Sequence, residues 1–289
     1  MTTKPSPKGA APVLRSDYEK ILRPARGIPR IGWGELWQYR ELFWALAMRT
    51  VRVRYKQTVA GGIWAIIQPL VTMIILTFIF GRLAKFDDGH VPYSLVVLAG
   101  ILPWQLFASG VAQGANSLVA GSGMISKVYF PRLIVPTAAC IVGVIDFLFA
   151  VLILAGMMIY WKQAPQVGAF AIPGFLVIAM GSALGLSFWL SALNVKYRDI
   201  RHVVPFMVQF GLYLSPVGFQ SSRVPQKWRM LYAINPMVTV IDGFRWALIE
   251  NSAALNWETT LISSAVALLL FVTGLIYFRK MEPAFADFV

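Results

Sequence analysis

The sequence predicts an all-α integral membrane protein with six transmembrane helices. It also predicts an N-terminal amphipathic interface helix and two short re-entrant or periplasmic helices between spans 5 and 6. Hydrophobic residues make up 57% of the 289 residues and charged residues only 13%, whereas a soluble domain carries about 25% charged residues. In addition, residues 61–80 contain no charged side chain and follow a cationic cluster. This pattern is typical of a helix that enters a bilayer from the cytoplasmic side.

Five further apolar stretches complete the six predicted spans. They are residues 93–118, 133–160, 170–195, 203–219 and 261–278. Each reaches or approaches the ~20 residues that a helix needs to cross the hydrocarbon core, and the stretch 203–219 is the shortest. Proline residues within or at the ends of four stretches predict kinks, and they are Pro103, Pro136, Pro173 and Pro205.

The distribution of positive charge predicts the orientation of the chain. With the N-terminus in the cytoplasm, the cytoplasmic segments hold 19 of the 26 Lys and Arg residues, and twelve of these precede the first span. This bias agrees with the positive-inside rule and places both termini in the cytoplasm. Since the net charge of +13 is concentrated at membrane edges, it predicts contact with anionic lipid rather than with nucleic acid.

The segment 230–249 is apolar and long enough to cross, yet Asn235 and Pro236 interrupt it and Asp242 and Arg245 are charged. A seventh crossing would place Arg279 and its neighbouring lysine outside, against the charge rule. We therefore expect two short helices here. They either dip into the membrane beside a pathway, where protein or water covers irregular backbone, or form a plain periplasmic hairpin.

The predicted interface helix occupies residues 33–58, between a flexible cytoplasmic lead (1–32) and the transmembrane domain (59–289). At 3.6 residues per turn, its polar face carries Gln38, Glu41, Ala45, Arg49, Arg52 and Lys56. The opposite face carries Leu36, Phe43, Trp44, Leu46, Ala47 and Val51. Such a helix turns its apolar side toward the acyl chains, and Arg40 and Arg54 break the pattern. The helix either only anchors the N-terminus or also docks a cytoplasmic partner.

Motifs for nucleotide or metal chemistry are absent from the sequence, so no catalytic or metal site is predicted. There is no Gly-x-x-x-x-Gly-Lys-Ser/Thr loop, no His-Glu-x-x-His and no Cys-x-x-Cys. Cys140, the single cysteine, lies in an apolar stretch and indicates packing. Asp146 is the one acid deep within a span, which is compatible with an ion route or with a hydrogen-bonded structural role. The lack of a basic residue for it in another span favours the structural role.

Short motifs follow one another from residue 49 to the end of the chain, within a match that covers nearly all of the sequence from about residue 33. They are RTVRVRYKQT (49–58), Gly61/Gly62, Trp64, Gln68-Pro69, Gly100 with Pro103-Trp104, KVYFPR (127–132), YRD (197–199), SPV (215–217), Asn235-Pro236, Phe244-Arg245 and Glu282-Pro283-Phe285-Asp287. In this order they resemble the ABC-2 type exporter permeases for polysaccharides such as O-antigen, teichoic acid and capsule.

The resemblance implies a half-transporter of a bacterial inner membrane that forms a homodimer and pairs with two copies of a separate ATP-binding subunit. ATP and Mg²⁺ would be bound by that subunit, and this chain would hold no cofactor. The docking surface would be the interface helix and the loop 125–132, with Gln38, Glu41, Arg49, Lys127, Tyr129, Phe130 and Arg132.

By the same resemblance, the first and fifth spans line a channel for a lipid-linked glycan. Aromatic rings suit the apolar faces of sugars, and the candidates are Trp64, Phe78, Phe80, Phe206, Phe210 and Tyr213. Lipid contact or helix packing is the alternative use of each ring. Cations for a lipid pyrophosphate would be Arg52, Arg54 and Lys56. The two short helices would close the outer end of the channel through Asn235, Pro236, Asp242 and Arg245.

The predicted function is that of the permease subunit of an ATP-driven exporter of lipid-linked polysaccharide, with O-antigen as the first candidate. Export of teichoic acid, capsule or a drug is the alternative within the superfamily. A membrane-embedded transferase acting on lipid-linked sugar is the alternative from a different class. A purified chain that retains an ATPase favours the exporter, and one that turns over a sugar donor by itself favours the transferase.

Overall fold

The computed structural model describes residues 33–56, 61–85, 91–125, 127–250 and 254–285. Within these ranges the chain is helical and contains no strand. The predicted cytoplasmic lead, the end of the predicted interface helix (residues 57–58) and Asp287 of the tail motif lie outside the described residues.

Eleven α-helices occur in the described ranges. In chain order they are α1 (Trp33–Gln38), α2 (Arg40–Lys56), α3 (Gly61–Leu76), α4 (Tyr93–Ala120), α5 (Ser122–Ile125), α6 (Ile134–Tyr160), α7 (Ile172–Lys196), α8 (Ile200–Leu214), α9 (Gln226–Tyr232), α10 (Pro236–Leu248) and α11 (Trp257–Met281). The first apolar helix, α3, continues as a π-helix over Thr77–Leu83, and a 3-10 turn at Val167–Ala171 precedes α7.

Five helical segments of the described chain are long and apolar enough to cross a membrane. They are Gly62–Leu83, Tyr93–Ala120, Ile134–Tyr160, Val167–Lys196 and Trp257–Ala284. They coincide with the first four predicted spans and the sixth. The protein is therefore an all-α, multi-pass membrane protein.

The predicted fifth span differs from the others in length. Helix α8 has 15 residues and rises about 22 Å, whereas the hydrocarbon core is about 30 Å thick. It ends where Ser215 becomes extended before Pro216, as expected for a residue that precedes proline. Residues 215–219, called the 215–219 segment below, continue without regular helix.

Helix α4 is the centre of the bundle, since most of its residues are buried and α6, α7 and α10 pack around it. Small residues allow the closest approach. A Cβ atom on Gly143 of α6 would lie 3.1 Å from the carbonyl oxygen of Leu106 on α4. On the other side, the hydroxyl of Ser187 on α7 donates to the Gly110 carbonyl at 3.1 Å. Small residues and short polar contacts are the usual means of packing helices in membranes.

Helices α7 and α11 cross at two glycines. A Cβ atom on Gly274 would lie 2.2 Å from the carbonyl oxygen of Gly185, so the two backbones touch. One turn away, the rings of Trp189 and Tyr277 stack with centroids 4.1 Å apart. Helix α11, the predicted sixth span, is thus held against α7.

Candidate functional site

Five of the six predicted channel aromatics point away from the packed core. Trp64 and Phe78, on α3 and its π-helical end, are 59% and 53% exposed. On α8, Phe206, Phe210 and Tyr213 are also exposed, and the rings of Phe206 and Phe210 stack at 5.9 Å. Exposed aromatic rings therefore lie on both helices among exposed aliphatic side chains, as the channel prediction requires and as contact with lipid would also allow.

Both helices are held by α4. On α8 only Val204 is buried, and Gly211 brings the helix against the ring of Trp104. A Cβ atom there would lie 2.8 Å from that ring. Helix α3 packs against α4 and α6. Helices α3 and α8, which bury few of their residues, thus both pack against α4.

The sixth predicted aromatic, Phe80, lies in the π-helix and is only partly exposed. Its ring lies so close to Gly218 that a Cβ atom there would come within 2.4 Å of it, and its centroid is 6.3 Å from that of Phe219. Phe80 therefore joins the end of the first span to the 215–219 segment after α8. This contact makes it a packing residue at the point where the two predicted channel helices meet.

Carbonyl groups of the 215–219 segment are satisfied by side chains. Arg245 of α10 donates from Nη2 to the Val217 carbonyl at 2.6 Å and from Nη1 to the Phe219 carbonyl at 2.7 Å. The Tyr93 hydroxyl donates to the Gly218 carbonyl at 2.5 Å. Irregular backbone at membrane depth needs this kind of internal partner.

The guanidinium of Arg245 also reaches the central helix. Its Nε donates to the Val96 carbonyl at 3.0 Å, and the side chain is 4% exposed. Gly100 provides the space, since a Cβ atom there would lie 2.8 Å from Nη2. Arg245 thus connects α10, α4 and the 215–219 segment. This places it as an anchor of the predicted outer closure and not as a side chain that faces the pathway.

The other predicted gate residues shape the same region. Asn235 caps α10, because its Oδ1 accepts from the Met237 amide at 3.0 Å while its Nδ2 donates to the Ser215 hydroxyl at 2.9 Å. Pro236 occupies the first turn of α10, where its missing N–H costs nothing. Asp242 accepts a hydrogen bond from the Ser221 hydroxyl. Two short helices split at Asn235 and Pro236, as predicted.

On the interface helix, the predicted polar residues are on the outside. Gln38, Glu41, Arg49 and Arg52 are exposed, and Lys56 is the last residue of α2. The opposite side packs on α6 and, through Leu42 and Leu46, on a core cluster that includes Phe285. The apolar face therefore meets the protein bundle, whereas the sequence predicted contact with acyl chains. Trp44 remains exposed.

Arg54, predicted as a pyrophosphate ligand, instead forms an ion pair with Asp146 of α6. Its Nη2 lies 2.8 Å from Oδ2 of that carboxylate, and the Tyr55 hydroxyl donates to Oδ1. Because the carboxylate already balances the Arg54 charge, Arg54 is less suited to a phosphate than the exposed Arg52. The basic residue that Asp146 lacks in the other spans is supplied by α2.

The loop 127–132 turns its predicted docking residues in two directions. Lys127 and Tyr129 are exposed, the latter at 64%, whereas Phe130 is 4% exposed and packs in the cluster with Phe285. Arg132 donates from Nη1 to the Glu282 carbonyl at 2.6 Å, and its amide donates to Glu282 Oε1 at 3.1 Å. Phe130 and Arg132 therefore hold the loop from inside, whereas Lys127 and Tyr129 lie on its outer side.

One signal in the sequence pointed to the missed ion pair. Arg54 interrupts the apolar face of the interface helix, and Asp146 is a lone acid in a span. When two residues of opposite charge each lie on an otherwise apolar surface, an ion pair between them is the expected arrangement. The anchoring role of Arg245 had no comparable signal, since its acceptors are backbone carbonyls that only the folded chain brings together.

The described chain thus has long apolar helices packed around a central helix, with a cationic helix at one side. The profile of the ABC-2 type transporter family matches residues 41–249, and the chain belongs to this family.

Relatives from several bacteria match most of the chain. The O-antigen export system permease protein RfbA of Klebsiella pneumoniae is 28% identical over 251 residues, covering 86% of this chain and 94% of the relative. The protein of that name from Myxococcus xanthus is 24% identical over 255 residues, covering 88% and 97%. The polysialic acid transport protein KpsM of Escherichia coli is 22% identical over 248 residues, covering 83% and 93%.

Proposed function

We propose that this chain is the permease subunit of an ATP-driven exporter that moves lipid-linked polysaccharide, with O-antigen as the first candidate, from cytoplasm to periplasm. The observation that carries the proposal is the match to O-antigen export permeases over 86% and 88% of the chain. The family profile alone covers residues 41–249, so the similarity is not confined to one segment.

The exposed aromatics support a path for sugars. Trp64 and Phe78 on the first span, with Phe206, Phe210 and Tyr213 on α8, give two helices a ring-rich surface. Sugar rings present apolar faces to such side chains, while their hydroxyls exchange hydrogen bonds along the way. In a homodimer of this chain, these surfaces from the two copies would enclose the channel. Both termini would lie in the cytoplasm of a bacterium, and the membrane would be the inner membrane.

A separate ATP-binding subunit, present in two copies, would supply the energy and would hold ATP and Mg²⁺. The sequence has no phosphate loop of its own. The exposed polar residues of α1 and α2 (Gln38, Glu41 and Arg49), together with the exposed Lys127 and Tyr129, form the surface that this subunit would contact. A lipid pyrophosphate would meet Arg52 and Lys56 first.

The function is tested by deletion in the bacterium that carries the chain, followed by complementation. We expect surface polysaccharide to disappear and its lipid-linked precursor to accumulate in the cytoplasm. The intact chain restores export, and a chain co-expressed with an ATPase subunit disabled in its phosphate loop does not. Normal surface polysaccharide after deletion would contradict the proposal. Chemical analysis of the accumulated precursor distinguishes O-antigen from capsule. Capsule is the second candidate because the chain is also similar to a polysialic acid transport protein.

A further inference from the structure

Asp146 is enclosed by donors from two other elements. Arg54 and Tyr55 reach it from α2, and the Ser109 hydroxyl of α4 lies 3.5 Å from its Oδ2. The carboxylate is 13% exposed. A charge in this position is costly unless it is paired and hydrogen-bonded. Here it is both, so the carboxylate serves as a fixed acceptor within the bundle.

The pair lies far along α6 from its beginning. Asp146 is the thirteenth residue of this helix, about 18 Å along its axis from Ile134. The end of α2 therefore reaches the level of the middle of a long span. The ring of Tyr55 adds an apolar contact there, with its centroid 6.0 Å from that of Phe149.

The helix that carries Asp146 is firmly joined to the centre of the protein. One turn earlier, Gly143 allows close contact with α4, since a Cβ atom on it would lie 3.3 Å from the Ser109 Cβ. Helix α4 in turn supports α3 and α8, which carry the exposed aromatics. A displacement of α2 that is transmitted to Asp146 would thus reach the central helix and the two helices it supports.

We propose that Arg54 and Asp146 are positioning residues that fasten the interface helix to the bundle, so that α2 and α6 move as one body when the ATPase moves. This inference depends on the proposed function, because it assigns the motion that the pair transmits. It adds to that function the connection between the exposed face of α2 and the transmembrane helices. The pair acts through the helices and does not contact the substrate.

The first test distinguishes a defect in transmitting the ATPase motion from a defect in assembly with the ATPase subunit. In complexes purified with the ATPase subunit, Asp146→Asn and Arg54→Gln are expected to retain the partner and to hydrolyse ATP, while export per ATP falls about tenfold, within the range of coupling changes measured for such networks. The exchange Arg54→Asp with Asp146→Arg is expected to recover export. Glu258→Gln and Arg40→Gln, which remove one exposed charge each, are the matched controls.

The second test replaces the ion pair with a covalent link. In a Cys140→Ala background carrying Asp146→Asn, cysteines at Tyr55 and Phe149 are bridged with a short bismaleimide, and bridging is measured on a gel. If α2 and α6 move as one body, the bridged complex recovers export, and the unbridged complex of the same preparation does not. Loss of export on bridging a complex that carries Tyr55→Cys and Phe149→Cys but keeps Arg54 and Asp146 would overturn the proposal, because it would mean that the helices must separate.

Normal export per ATP in both single variants would also overturn the proposal, as would loss of the ATPase partner from them. If the single variants fail to fold, Arg54→Lys, which keeps the charge, is bridged through the same two cysteines in the Cys140→Ala background. It is expected to export when bridged, and loss of export on bridging would overturn the proposal. Failure of the proposed function is distinguishable from these results, since it would remove export from the unmodified complex as well.

Discussion

Arg245 is the residue on which the irregular backbone after α8 depends. Three of its nitrogen atoms donate to the carbonyls of Val96, Val217 and Phe219. Hydrogen bonds from a charged donor contribute about 1.5–3 kcal/mol each. A buried carbonyl that loses its donor keeps its desolvation cost, so the loss of this side chain affects all three elements at once.

Replacement of Arg245 is therefore expected to destabilise the protein. We predict that Arg245→Ala lowers the free energy of unfolding by several kcal/mol, on the order of 3–5, and that Arg245→Lys recovers only part of it because a lysine lacks the planar set of donors. Thermal denaturation in detergent measures the effect. Arg82→Ala, at an exposed arginine, is the control, and equal melting of all three proteins would contradict the anchoring role.

Whether the orientation of a side chain could be predicted from the sequence depended on whether its contacts are local or distant in the chain. The outward direction of Gln38, Glu41, Arg49 and Arg52 was predictable from helical periodicity, since it depends on local geometry alone. The inward direction of Phe130 was not, because it is set by the cluster around Phe285, 155 positions away in the chain.

At the scale of elements, close backbone contact decides where the long helices cross. Gly274 on α11 meets Gly185 on α7 with no room for a Cβ atom. In contrast, a Cβ atom on Gly181, one turn earlier on α7, would contact nothing within 4 Å. The sequence of α7 contains both Gly181 and Gly185, and it does not indicate which of the two lies at the helix crossing.

Replacement by alanine should have opposite effects on stability at Gly181 and at Gly274. Alanine in a helix is favoured over glycine by ~1 kcal/mol, so Gly181→Ala is expected to be neutral or slightly stabilising. Gly274→Ala is expected to destabilise, since its Cβ would lie 2.2 Å from a backbone oxygen and the helices must move apart. Melting temperature by light scattering compares the two, and a stabilised Gly274→Ala protein would show that this crossing does not occur.

The loop 127–132 is an element with an inner and an outer side. We predict that Lys127→Ala with Tyr129→Ala weakens retention of the ATPase subunit and leaves melting unchanged, because both side chains are exposed. Phe130→Ala should instead lower stability by about 3–5 kcal/mol. Co-purification and melting are measured on the same samples. Docking lost in the second variant with no loss of stability would reverse this assignment.

Element boundaries show the same division between local and distant causes. The long spans were predictable because a stretch of twenty or more apolar residues is typical of a transmembrane helix. The shortness of α8 comes from Pro216, a local signal that the apolar run 203–219 concealed. The contact of α2 with α6 was hidden, because an amphipathic face is equally compatible with acyl chains and with another helix.

For the whole molecule, the exposed aromatics on the first span and α8 are the surface that a homodimer would turn toward its channel. Trp64→Ala and Phe210→Ala are predicted to lower export severalfold at unchanged expression. Phe170→Ala is the matched control, because this ring is 90% exposed and lies at the start of another span. Surface polysaccharide measured against membrane protein level gives the comparison. Equal export by all three variants would assign these rings to lipid contact.

The most direct test of the central claim is reconstitution of the chain in vesicles with and without the proposed ATPase subunit. Delivery of radiolabelled lipid-linked polysaccharide to the opposite leaflet is then measured. We predict that delivery requires both proteins and ATP, and that a phosphate-loop variant of the ATPase abolishes it. Delivery by this chain alone, or turnover of a sugar donor without the second subunit, would contradict the account.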